Sequence, residues 1–139
     1  MIYDVKKFYY SNKYYDYLDI LNISYKNVIK IINFPILLKE LWCYDNNLYR
    51  LDNLPQKLQN LFCYNNNLFR LDNLPQKLQY LVCYNNKLSR LDNLPLLQEL
   101  WCHHNNITKL NNIPQSLNKI YCDKKTIINK NKDLIIFNY

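Results

Sequence analysis

The residues in this chain best suited to chemistry are five cysteines and a Cys102-His103-His104 triplet. Thiol and imidazole side by side could ligate zinc or form a nucleophile and base pair. The spacing argues against both. Cys43, Cys63, Cys83, Cys102 and Cys122 fall at the same place in a recurring segment, and each lies two residues after a Leu or Ile. On a strand that phase turns the cysteine and the aliphatic side chain to one face and the intervening residue to the other. Cys102 is then a small buried hydrophobe, and His103 points to the opposite face. A zinc site needs four convergent ligands, and no spaced Cys/His set supplies them from one side. An odd cysteine count with no export signal suits reduced thiols rather than disulfides. Ser-His-Asp sets and paired carboxylates are missing, and a chain without glycine lacks the usual phosphate cradle. The expectation is therefore a non-enzyme with no cofactor and no metal.

The elements that carry these residues are repeated: Leu61 to Tyr80, LFCYNNNLFRLDNLPQKLQY, repeats Leu41 to Asn60, LWCYDNNLYRLDNLPQKLQN. Leu81 to Glu99 is a third copy with one residue missing after Pro95, and Leu100 to Lys119 is a fourth. Leu21 to Glu40 is a degenerate first coil, while Ile120 to Ile127 begins a sixth before the pattern dissolves. Such a period means a stack of one small unit. Residues 1–20 hold no copy and are crowded with Tyr3, Phe8, Tyr9, Tyr10, Tyr14, Tyr15 and Tyr17, which reads as an N-terminal cap. Residues 21–127 read as the solenoid of about six repeats, and residues 128–139 as a C-terminal cap using Leu134, Ile135, Ile136 and Phe137. Asn46, Asn66, Asn86 and Asn105 are placed to form a ladder of inward amides bonded to turn backbone.

The segments Leu58 to Leu68, Leu78 to Leu88 and Leu97 to Ile107 read LxxLxCxxNxL or LxxLxCxxNxI, which resembles the conserved segment of leucine-rich repeats. The short period and the Leu-Pro pair of each unit resemble the short-repeat class of secreted bacterial effectors. The Asn-, Lys- and Tyr-rich idiom also resembles leucine-rich-repeat proteins of giant DNA viruses, although such composition is typical of A/T-rich coding sequence and carries no functional weight. The resemblance implies an α/β-type right-handed solenoid with a parallel β-sheet on the concave face and extended or short 3-10 connections outside. It implies no chemistry. Related short-repeat proteins carry ubiquitin-ligase domains, and nothing outside these repeats is long enough to be one, so only a recognition-adaptor role survives from that comparison.

The outward strand positions are the informative ones. Between Leu and Cys stand Trp42, Phe62, Val82, Trp101 and Tyr121; after Cys stand Tyr44, Tyr64, Tyr84, His103 and Asp123; before Leu stand Glu40, Asn60, Tyr80, Glu99 and Lys119. A sheet face that merely met water would carry Thr, Lys, Glu or Asn. Contiguous aromatics mark an interaction surface or, more blandly, stiffen the sheet by stacking. The expectation is a protein partner bound by Trp42, Tyr44, Phe62, Tyr64, Tyr80, Tyr84, Trp101, His103 and Tyr121. The competing reading is single-stranded nucleic acid stacked on the same rings. The net charge of +7 invites it, but the excess is spread as +2, +3 and +2 over residues 1–40, 41–119 and 120–139. Arg50, Arg70, Arg90 and Lys109 are moreover followed two residues later by Asp52, Asp72, Asp92 and Asn111, a self-neutralising edge, so nucleic acid is the weaker reading. No apolar run is long enough for a membrane span or a signal peptide, which points to an intracellular, cytoplasmic protein, in the host cytoplasm if the source is viral. It is expected to be a monomer or to self-associate weakly through its terminal coils.

Overall fold

A computed structural model describes residues 1–9, 15–129 and 134–139. Tyr10 and Tyr14 of the expected cap, and residues 130–133, lie outside the described residues. The chain winds into a right-handed parallel solenoid. Its concave sheet contains, among the described residues, seven parallel strands: β2 (Ile20–Asn22), β4 (Glu40–Trp42), β5 (Asn60–Phe62), β6 (Tyr80–Val82), β7 (Glu99–Trp101), β9 (Lys119–Cys122) and β11 (Ile135–Asn138). Six strand spacings make the sheet about 29 Å across. Smaller two-stranded pairings lie on the return side, where β1 (Ile2–Asp4) joins β3 (Lys30–Ile32) and β8 (Lys109–Leu110) joins β10 (Ile127–Ile128).

Alternation fixes the register. Leu21, Leu41, Leu61, Leu81, Leu100 and Ile120 pair along the ladder and are completely buried. The five cysteines form the adjoining buried column as free thiols. A one-residue slip would expose all of them, so burial pins the pairing. On the return path Leu48, Leu51, Leu54 and Leu58, with their equivalents in neighbouring coils, close the core. Each coil then turns where the carbonyl of Pro35, Pro55, Pro75 or Pro114 accepts the N–H three residues on. The residue missing after Pro95 tightens that turn, and Leu97 N–H reaches the Pro95 carbonyl at 2.7 Å.

The Asn ladder forms as expected. The Asn66 amide nitrogen donates to the carbonyls of Cys43 at 3.0 Å and Cys63 at 3.2 Å, while its oxygen accepts the N–H of Leu48 at 2.9 Å. Asn86 and Asn105 do the same one and two coils on. Each rung satisfies backbone groups in two coils at once, which a tightly wound turn would otherwise bury unpaired.

Asparagine has a second use that composition alone concealed. Of the eleven described residues with positive φ, eight are Asn, including Asn53, Asn73, Asn93 and Asn112 at one corner and Asn65 and Asn85 at another. Each coil makes two left-handed corners, and in a chain without glycine Asn is the residue that enters that region at least cost.

Both ends of the stack carry strand pairings of their own. At the start, Tyr3 pairs with Ile31, Tyr3 and Val5 enter the core, and Leu18 N–H bonds the Tyr15 carbonyl as the leucines after each proline do. At the far end a last strand joins the sheet. Ile135, Ile136, Phe137 and Asn138 pair in order with Lys119, Ile120, Tyr121 and Cys122, adding a shortened coil to the sheet.

Candidate functional site: the concave aromatic face

Side chains at alternate strand positions leave the concave face in three columns. The column following the cysteines is a continuous pile of rings. Tyr44 and Tyr64 stack at 4.5 Å, Tyr64 and Tyr84 at 4.6 Å, and Tyr84 and His103 at 4.7 Å, all within 10° of parallel. Tyr25 closes the top edge-on to Tyr44 at 5.3 Å. Parallel in-register strands place identical positions one strand spacing apart, which flat rings can fill face to face.

Asp123 should interrupt this pile. Its carboxylate is turned into the corner instead, accepting the N–H of His104 at 2.8 Å and of Asn105 at 3.3 Å. Tyr139, one strand further on, stacks directly on His103 at 4.0 Å. His103, expected to stand outward and accessible, is therefore only 5% exposed, sandwiched between Tyr84 and Tyr139. That burial, with His104 beside it, lowers the His103 pKa below its ordinary 6.5. Burial among neighbouring rings likewise pushes the Tyr64 and Tyr84 hydroxyls above the usual 10.0.

The middle column holds Trp42 and Phe62, edge to face at 5.6 Å, then Val82, then Trp101, Tyr121 and Phe137, the last three stacked at 3.9 and 4.4 Å. Val82 thus leaves a step between two aromatic clusters. Each indole is clamped by the glutamate two residues earlier: Trp42 Nε1 donates to Glu40, and Trp101 Nε1 donates to Glu99 at 2.5 Å. The second Glu40 oxygen accepts from Asn60 at 3.1 Å. Trp42, Phe62, Trp101 and Tyr121 are half-buried, as are Tyr44, Tyr64 and Tyr84. Tyr80 stands apart in the third column, with its hydroxyl donating to Gln98 at 3.0 Å.

Sequence reasoning missed Tyr25, Phe137 and Tyr139. The signal for the last two was present, because Ile136-Phe137-Asn138-Tyr139 matches the Leu-aromatic-Cys-Tyr order of the strands, displaced by an abridged return path.

Cys102 faces the core while His103 and His104 lie in the concave face and its corner, so the triplet does not converge. Among the described residues no group of three His, Cys, Asp or Glu side chains is placed to hold a metal ion. No described helix is long and apolar enough to cross a membrane.

No protein-family model matches the sequence, and no curated protein is significantly similar to it. Solved structures are. A Shigella effector LRR domain superposes with a TM-score of 0.78 at 26% identity, over 91% of this chain and 56% of that one. YopM from Yersinia enterocolitica gives a TM-score of 0.76 at 26% identity, over 87% of this chain and 32% of that one. This is a leucine-rich-repeat fold. YopM from Yersinia pestis shares it, with a TM-score of 0.55 at 24% identity over 79% of this chain and 44% of that one. The chain thus spans between about a third and somewhat over half of these leucine-rich-repeat effectors. The likeness fits an interaction module.

Proposed function

We propose that this protein is a non-enzymatic binding module whose partner is another protein, held on the concave face. The observation that carries this reading is the pair of aromatic columns, with rings fixed by stacking and indoles fixed by carboxylates before any partner arrives. Pre-ordered Trp and Tyr side chains give up little entropy on binding, which is why they anchor interfaces. Trp42, Phe62, Tyr64, Tyr84 and Trp101 are the anchors, with Tyr44, Tyr80 and Tyr121 beside them. His103 acts through Tyr84 and Tyr139 rather than by contact. Glu40 and Glu99 stand on this face, whereas Arg50, Arg70 and Arg90 are on the return side paired with Asp52, Asp72 and Asp92 at 2.7, 3.3 and 3.3 Å. That distribution favours a protein over a nucleic acid, whose phosphates the glutamates would repel. Residues 1–20 and 128–139 serve in this reading as caps of the stack.

The test is cross-linking mass spectrometry on the full chain and on Trp42→Ala/Trp101→Ala. Partners cross-linked to the wild type are expected to vanish from the variant while its urea midpoint shows it folded. An unchanged partner set removes the reading.

A further inference from the structure

Resting on that binding face, the geometry points to the kind of partner: we infer that the two Glu-Leu-Trp units receive two basic side chains, arginine above all, of one extended segment lying across the strands. Glu40-Leu41-Trp42 on β4 and Glu99-Leu100-Trp101 on β7 are the same device built twice. In each, a carboxylate is locked beside an indole by the Nε1–H bond. A carboxylate oxygen that accepts one hydrogen bond keeps a lone pair for another. A planar guanidinium can lie on an indole face while its N–H groups meet the adjacent carboxylate, combining a cation–π contact with a charge-assisted hydrogen bond.

The charge of Glu40 is unspent, and that of Glu99 only weakly met. Among the described residues Glu40 has no cationic partner within ion-pair distance, and neither has Asp45 at the neighbouring corner, which accepts from the Asn65 amide at 2.9 Å and from the Tyr25 hydroxyl. Glu99 is met by Lys119 at a long 3.9 Å. In a protein with a net charge of +7, Glu40 thus stands without a cation among the described residues, and Glu99 is met only at the limit of ion-pair distance. Such complementarity selects a basic segment and repels acidic ones.

The spacing adds a ruler. Strands β4 and β7 are separated by three strand spacings, about 14 Å. Four residues of extended chain cover about 13 to 14 Å, and residues i and i+4 of such a chain point to one side. The segment thus carries basic residues four apart. The residue midway between them falls between Phe62 and Val82, at the edge of the step where the missing ring leaves room for an apolar side chain.

The probe is a labelled synthetic peptide with two arginines four residues apart and a leucine midway. Its comparisons are the same peptide with the arginines adjacent, and with both replaced by glutamate. Fluorescence anisotropy on the full chain is expected to show binding that weakens with salt, is weaker by about five- to thirtyfold for adjacent arginines, and is lost with glutamates. Glu40→Gln/Glu99→Gln keeps an oxygen for each indole N–H, so the fold survives while the charge goes. It should weaken the spaced peptide by about five- to thirtyfold as well. Equal binding of the spaced and adjacent peptides, equal binding to the Gln variant, or no binding at low salt overturns the inference. If partners lost with Trp42→Ala/Trp101→Ala are held undiminished by the Gln variant, the basic-segment inference fails and the binding face stands. If the Trp variant loses nothing, both fail.

Discussion

Replacing Asn66 with Ala isolates what one rung of the amide ladder contributes. The carbonyls it touches are shared: Cys43 also receives the amide of Asn46 at 3.1 Å, Cys63 that of Asn86 at 3.0 Å, and Tyr64 the N–H of Asp45 at 3.2 Å, so all three keep a partner. The N–H of Leu48 is different. Leu48 is fully buried, and its recorded partner is the Asn66 oxygen at 2.9 Å. Orphaning a buried donor costs about 1 to 3 kcal/mol, and losing the shared bonds with the space of an amide adds about 1 kcal/mol more. The expected loss is about 2 to 4 kcal/mol, or about 1 to 2 M in urea midpoint at an m-value near ~2 kcal/mol/M. Asn67→Ala is the matched control, because its backbone N–H bond to the Leu48 carbonyl survives and its side chain is partly exposed. It should shift stability by no more than about 0.5 kcal/mol. Equilibrium urea unfolding of both variants decides the matter. If Asn66→Ala falls within about 0.5 kcal/mol of Asn67→Ala, the ladder does not hold adjacent coils together as argued.

Two further outcomes follow from the same structure. The folded-state pKa of His103 lies below its unfolded value of 6.5, so the unfolded chain takes up the proton first as the medium is acidified. The stability tied to neutral His103 is complete above that value and declines as pH falls from about 6.5 toward the folded pKa. His103→Phe keeps a ring between Tyr84 and Tyr139 and should flatten the urea-midpoint profile between about pH 7.5 and 5, whereas an unchanged slope counts against burial as the cause. The five cysteines are buried free thiols whose pKa values are raised by desolvation. They should resist a thiol-specific colour reagent in native buffer and all react once the chain is unfolded; rapid native labelling of Cys63 would contradict the inward register.

The period, the inward Leu-Cys phase and the amide ladder were legible in the sequence because each is a one-dimensional pattern that a parallel stack converts directly into columns. Leu61, Cys63 and Asn66 needed only the alternation of a strand and the hydrogen-bonding capacity of an amide. The outward aromatics were legible for the same reason. The composition was misleading in one respect, since abundant Asn looked like coding bias, yet Asn53, Asn65, Asn73 and Asn85 hold the left-handed corners that glycine would otherwise take.

Tertiary structure alone decided the ends and the state of the individual rings. Strand β11 joins the sheet after an abridged return path, and no fixed period could reveal an interval of 16 rather than 20 residues between paired strands. That pairing brings Tyr139 over His103 and converts an outward histidine into a buried one. The carboxylate of Asp123 had to leave the column for this to happen, a choice made by backbone donors at the corner. The linkage of Trp42 to Glu40 and Trp101 to Glu99 likewise joins two columns through rotamers, which residue spacing does not specify. A repeating sequence determines which face each side chain occupies, because strand geometry is local; whether a side chain on that face is covered, paired or free depends on which distant segment arrives beside it.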